Sequence, residues 1–211
     1  DWMNAETNWL QKAKFFKQAI QGLWGDFLTA RIADAILPIT TWDGETYWKK
    51  LVTKRNRQRI QAVPYFLPVS YCPAALVDNV KTKKRNICVS IGTVSKARGK
   101  VHVGPLVEAQ YREFSKLVEK LPDEIDKEWE FILTGDVPSH LLISKRIHLT
   151  GPLPSPFSIL QEARTVCLLS EHGRGFKTKI LDSLMAEAVL ILHQDLYDRL
   201  SPELQKGCIR F

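Results

Sequence analysis

Cysteine is scarce in this 211-residue sequence, and its four copies, Cys72, Cys88, Cys167 and Cys208, stand far apart. That spacing excludes a disulfide-dense scaffold and the paired thiols of a zinc site. Three of the four lie in apolar runs, so they read as core thiols in a reducing compartment. No apolar run approaches the ~18 residues of a membrane-spanning helix, and no leader-like pattern opens the sequence, so a cytoplasmic location is the expectation. Low-complexity tracts and internal repeats are also missing. With Gly and Pro at 11 each, neither a disordered chain nor a solenoid fits.

What is present suits a globular α/β protein. The chain is 45% hydrophobic, and its length covers one complete domain plus part of another. The formal charge of +7 is unevenly placed: residues 1–85 hold 14 Lys and Arg against 7 Asp and Glu, whereas residues 86–211 hold 16 against 16. One basic cluster comprises Lys49, Lys50, Lys54, Arg55, Arg57 and Arg59; a second comprises Lys81, Lys83, Lys84 and Arg85. Such runs are either solvated helix ends and linkers or a surface that attracts anionic lipid or an anionic acceptor. Nucleic acid is not expected as a partner, because neither an interleaved aromatic motif nor a helix-turn-helix pattern accompanies the charge.

The apolar spacing predicts an amphipathic helix over residues 6–30, expected to face a core, although its flanking lysines also suit a membrane surface. A strand at 35–40, a helix at 44–53 capped by Asp43, and a strand at 59–64 follow. A proline-bearing connection then marks a boundary. Residues 1–70 are expected to belong to a partial α/β domain, 71–85 to a linker, and 86–211 to a complete domain. In that last part, strands at 86–91, 129–133, 146–149, 165–169, 188–192 and 208–211 alternate with helices at 107–121, 157–163 and 177–187. Short apolar runs alternating with helices predict a Rossmann-like parallel sheet covered on both faces, with ligands at the carboxyl ends of its strands.

The segment after the strand at 165–169 carries the chemistry. Gly173 and Gly175 allow close backbone approach to a ligand, and the next helix offers free N–H groups at its positive end. Together they form a candidate diphosphate cradle. Arg174, Lys177 and Lys179 can add charge-assisted contacts, and Asp182, further along the helix, can accept from ribose hydroxyls. Counting 100° per residue turns Lys179 away from Lys177, so Lys177 is expected to matter more.

From Gly173 to Leu192 the sequence resembles the donor-binding segment of the family-four glycosyltransferases (glycosyl transferases group 1), enzymes of the GT-B fold. Gly175-Phe176 matches that family's Gly-Phe pair, Asp182 its second, ribose-binding acid, and Lys177-Thr178-Lys179 a Gly-x-Lys-Thr-Lys variant of the segment. Arg174 replaces the first acid, while Glu187 and Val189 stand where Gly and Pro are usual. The similarity extends loosely over residues 86–211. Ser90-Ile91-Gly92 resembles the opening strand and its glycine turn; Thr93 stands for the usual Arg, and Lys96, Arg98 or Lys100 for the Lys that follows. Thr134-Gly135-Asp136 resembles a Gly-Asp-Gly strand end, and His148 to Leu153 the stretch whose backbone reads the base, through Gly151, Pro152 and Leu153.

The resemblance implies a nucleotide-sugar donor, transfer with retention to a glycan, lipid-linked or protein acceptor in polysaccharide biosynthesis, and no metal or other cofactor. On this reading Lys177, Arg174 and the helix N-terminus are expected to stabilise the leaving diphosphate, and Gly92, Thr93, Lys96, Gly173, Gly175, Phe176, Thr178 and Asp182 to hold the donor. A complete enzyme of this type has a full N-terminal domain, so this chain is expected to hold only part of one. The other readings are a non-catalytic nucleotide-sugar-binding module and a nucleotide-sugar epimerase of the same fold.

Overall fold

A computed structural model describes residues 9–38, 41–63, 83–93, 96–97, 100–101, 104–170 and 177–211. The chain divides into two compact units, one running up to residue 81 and the other starting at residue 82.

In the first unit, helix α1 spans Trp9–Ile32. Three helical pieces, Thr41–Asp43, the π-helical Gly44–Trp48 and Lys49–Leu51, then run on without a break, and Lys54–Arg59 forms a 3₁₀ turn. Asp43 therefore sits inside helical backbone, with φ −62° and ψ −38° and no side-chain cap bond, rather than capping the helix. Among the described residues the two strands expected here reduce to a single parallel bridge between Ile36 and Ile60, extended by backbone bonds from Gln61 N–H to Ile36 and from Val63 N–H to Pro38. Pro38 brings no N–H of its own, which removes one rung from any longer ladder.

Nor does α1 bury its apolar stripe among the described residues. Trp9 is 73% exposed and Trp24 62%, and Phe16, Ile20 and Leu23 are about half exposed. Among the described residues the unit's core consists of Ala30, Ile36 and Val52, with Ala33, Trp48, Leu51 and Ile60 packed around them. That core meets only the last turns of a helix of 24 residues.

The second unit is built on a six-stranded parallel sheet. Its strands are β1 Arg85–Ser90, β4 Glu130–Thr134, β5 Ile147–Gly151, β6 Ala163–Leu168, β7 Val189–Leu192 and β8 Cys208–Arg210, in the spatial order β5-β4-β1-β6-β7-β8. Two short strands, β2 Lys96–Ala97 and β3 Lys100–Val101, pair antiparallel apart from it. Central β1 is buried along Ile87, Cys88, Val89 and Ser90, as a strand covered on both faces must be. Its register sets Cys88 beside Phe131 of β4 and beside Thr165 of β6.

Helix α2, Pro105–Lys120, begins with proline at its first position, where no N–H is needed, and presents Tyr111, Phe114 and Val118 at i, i+3 and i+7. These three are fully buried against Cys88, Phe131, Leu133, Ile147 and Cys167. The thiols of Cys88 and Cys167 lie 3.4 Å apart in that core, and Cys208 is half-buried with its thiol on the Leu204 carbonyl. Helices α3, Phe157–Glu162, and α4, Thr178–Met185, pack on each other and along β1, β6 and β7.

Two members of the second basic cluster are consumed internally. Lys84 Nζ donates to the carbonyls of Leu160 and Ala163 at 3.3 and 3.0 Å and to that of Ala186, joining the ends of α3 and α4. Arg85 pairs with Glu130 and Glu162. Lys84 is thereby turned inward, away from an outside anion, while Arg85 remains half exposed.

Candidate functional site

Because all six strands are parallel, the segments leaving their carboxyl ends gather at one edge of the sheet. The chain steps outward from β1 to β4 and β5, returns past β1 to β6, and continues to β7 and β8. Between β1 and β6 the direction of connection reverses. In open α/β sheets that reversal leaves a crevice outside the carboxyl ends of the two strands, where ligands bind.

The turn after β1 is held from several sides. Gly92 N–H donates to Thr134 Oγ1 at 3.2 Å, Thr93 N–H to the Tyr111 hydroxyl at 3.1 Å, and Asp136 N–H to the Thr93 carbonyl at 3.0 Å. A Cβ on Gly92 would stand 1.9 Å from the Thr134 carbonyl oxygen and 2.3 Å from the Tyr111 oxygen. The glycine is thus demanded by packing inside the protein. Gly135 has φ +93° and also packs closely, a Cβ there standing 2.7 Å from the Thr93 nitrogen, while its N–H donates to the Gly151 carbonyl at 2.8 Å. The ends of β1, β4 and β5 therefore hold one another. Gly151, at φ +69°, has open space where a Cβ would point.

Two residues of α2 complete this frame, and no motif in the sequence marks them. Buried Gln110 donates from Nε2 to Ser90 Oγ and to the Ile91 carbonyl, each at 3.1 Å. Burial pushes the Tyr111 phenol above its ordinary pKa, the Thr93 N–H opposes this, and the charge of Asp136 adds to it. The one available signal for Gln110 is a polar residue next to a core-facing position of an amphipathic helix.

Across the crevice stands the start of α4. Lys177 is its N-cap, in extended backbone with φ −87° and ψ 102°, and Thr178 is its exposed first residue. Burial lowers the Lys177 pKa, with Arg199 adding repulsion. Lys179 Nζ donates to the carbonyls of Ile91 at 3.0 Å and Gly92 at 2.7 Å. Its pKa falls to about 8, first through burial, then through repulsion from Lys177, with Asp182 opposing. Asp182 is itself raised by burial, with Lys179 opposing.

Lys179 thus reaches into the edge that the helical count turns it away from, close enough for Lys177 to disfavour its charge. The reason is local. A 100° step per residue holds only within helical backbone, and Lys177 lies outside it.

The structure brings Gly92 and Thr93 together with Gly151 through Gly135, and with the start of α4 through Lys179. Pro152 is exposed and Leu153 half-buried just beyond β5, and His148 is exposed on that strand. Lys96 opens β2 and Lys100 opens β3; their side chains, and Arg98, lie outside the described residues, as do Gly173, Arg174, Gly175 and Phe176. Among the described residues no group of three or more His, Cys, Asp or Glu gathers as a metal site would.

No protein-family model matches this sequence, and no curated protein matches it. Solved structures do match. HepE (Alr3699) from Anabaena in complex with UDP aligns over 79% of this chain and 46% of its own, with a TM-score of 0.55 and 9% identity. Its complex with UDP-glucose gives a TM-score of 0.51 at 10% identity over the same shares. TarM aligns over 87% of this chain and 32% of its own, with a TM-score of 0.52 and 11% identity. At such identity the likeness is one of fold, and the fold is that of GT-B glycosyltransferases. The chain spans about half the length of the HepE structures and about a third of that of TarM.

Proposed function

We propose that this chain is the donor-binding part of a glycosyltransferase that moves a sugar from a nucleoside-diphosphate sugar to a glycan, lipid-linked or protein acceptor, with retention. The observation that carries the reading is that the glycine turn after β1 and the basic start of α4 meet at the β1/β6 reversal, where ligands bind in open α/β sheets. Matching structures hold UDP or UDP-glucose, which fits a nucleotide donor.

In this reading the diphosphate lies between the Gly92 turn and the segment 173–179. Negative charge grows on it as the glycosidic bond breaks, and Lys177, Arg174 and the free N–H groups of α4 are the groups proposed to stabilise it, without a metal. Asp182 accepts from ribose hydroxyls, and Gly151, Pro152 and Leu153 face the base. Calorimetric titration of the full-length protein with UDP, GDP and ADP tests the site, and nucleoside diphosphate release from a panel of donors tests the reaction. A folded protein that binds none of the three contradicts the reading. Binding without turnover points to a non-catalytic module, and interconversion of free donor to an epimerase.

We also propose peripheral contact between the first unit and an anionic bilayer. Lys50, Lys54, Arg55 and Arg57 are exposed, as is the apolar stripe of α1, and no helix of the described residues is long and apolar enough to cross a membrane. Sedimentation with phosphatidylglycerol vesicles should exceed that with phosphatidylcholine vesicles and should weaken with salt. Equal sedimentation with both removes the proposal.

A further inference from the structure

The ammonium of Lys179 is partly buried against neutral oxygen. Its two described hydrogen-bond partners are the carbonyls of Ile91 and Gly92, and Asp182, the acid that acts on it, does so through its field alone. Burying a charge without a paired counter-charge is costly, and a methionine of similar length would fill the same space without that cost. An ammonium carries three N–H donors, and the two carbonyls take two of them. The side chain springs from the helix that follows β6 and ends on the turn that follows β1, so its charge lies at the reversal itself. The described part of that turn, Ile91 to Thr93, holds no cation of its own.

We infer that Lys179 is a diphosphate-binding cation on the β1 side of the site, supplied from α4: it clamps the Gly92 turn through two carbonyls and gives its remaining N–H to a diphosphate oxygen. This rests on the nucleotide-binding reading above. It assigns ground-state binding to Lys179, a role distinct from the transition-state role proposed for Lys177. The group that the anion meets is a cation already partly desolvated, so binding costs it less further hydration than a fully exposed one.

The experiment compares UDP with uridine, and ADP with adenosine, on the full-length protein and its Lys179→Gln and Lys179→Arg variants. Glutamine retains a donor for the turn but no charge. Loss of a charge-assisted bond of about 1.5–3 kcal/mol corresponds to roughly 10- to 100-fold weaker diphosphate binding. The nucleoside should bind Lys179→Gln as it binds the unmutated protein, and Lys179→Arg should recover part of the loss. If diphosphate and nucleoside lose affinity equally, or the diphosphate loses none, Lys179 only supports the turn and the inference is overturned.

Acetic anhydride labelling of the unmutated protein gives a check that needs no folded variant. UDP should protect Lys179 from acetylation, read by mass spectrometry, and uridine should not; equal protection by both overturns the inference. An unmutated protein that binds no diphosphate rejects the functional reading itself, which separates the two failures.

Discussion

At the turn after β1, one methyl group is enough to test the packing. Gly92→Ala places a Cβ 1.9 Å from a carbonyl oxygen of a neighbouring strand end, so something in the β1–β4–α2 frame must shift. The expected loss is about 3 kcal/mol in urea unfolding, at the upper end of ordinary overpacking. Gly151→Ala meets no atom and has only the strain of φ +69°, about 1–2 kcal/mol. If the two substitutions cost the same, the described packing around Gly92 is wrong. On the chemical side, Lys177→Ala should lower kcat about 10²-fold, as losing a transition-state donor does, while Asp182→Asn should mainly raise KM. Steady-state kinetics of the full-length protein separate these roles; the reverse pattern would exchange them.

At the scale of single elements, α4 shows how a departure from the familiar pattern is tolerated. The helix ends at Met185, and Glu187 then adopts φ +56°, the left-handed conformation usual for a glycine at this position. The turn is closed by N–H bonds from Glu187 to the Leu184 carbonyl and from Ala188 to the Ser183 carbonyl. The glycine-type turn is therefore kept although the residue is not glycine. Glu187→Gly should raise stability by about 1 kcal/mol through relief of that strain, seen as a later urea midpoint with an unchanged slope. An earlier midpoint would mean that the Glu187 charge beside Lys84 outweighs the strain. The expected boundaries of α4, 177–187, already bracketed this helix, since apolar spacing identifies its core-facing residues. They could not show that Lys177 lies outside the helical backbone, nor that the Lys179 side chain ends on the turn after β1.

The whole molecule integrates these local terms in its stability against pH. Lys179 has a pKa of about 8 in the fold and an ordinary value of 10.5. Between these the unfolded chain binds more protons, so stability rises with pH in this window; the contribution is fully present above 10.5 and lost as pH falls through 8. Lys177 and Lys84 are lowered in the same direction but are common to a comparison with Lys179→Gln. The urea midpoint of the unmutated protein should therefore gain on that of Lys179→Gln as pH rises from 7 to ~10. A constant difference would mean that the ammonium is as well solvated in the fold as out of it.

The sequence by itself determined the alternation of strands and helices in residues 86–211, because each strand buried on both faces must be a short continuous apolar run. It also singled out the Gly92 turn and the start of α4, since glycines and helix ends leave a local chemical signature. Only the tertiary structure decided that these two meet across the β1/β6 reversal, because strand order follows from packing among elements far apart in sequence. It alone brought Tyr111 and Gln110 of α2 to the turn and the Lys179 ammonium onto its carbonyls. The apolar stripe of α1 shows the same divide from the other side. Its period specifies a helix, but whether that helix is covered depends on how much core its neighbours provide, and among the described residues Ala30, Ile36 and Val52 provide little.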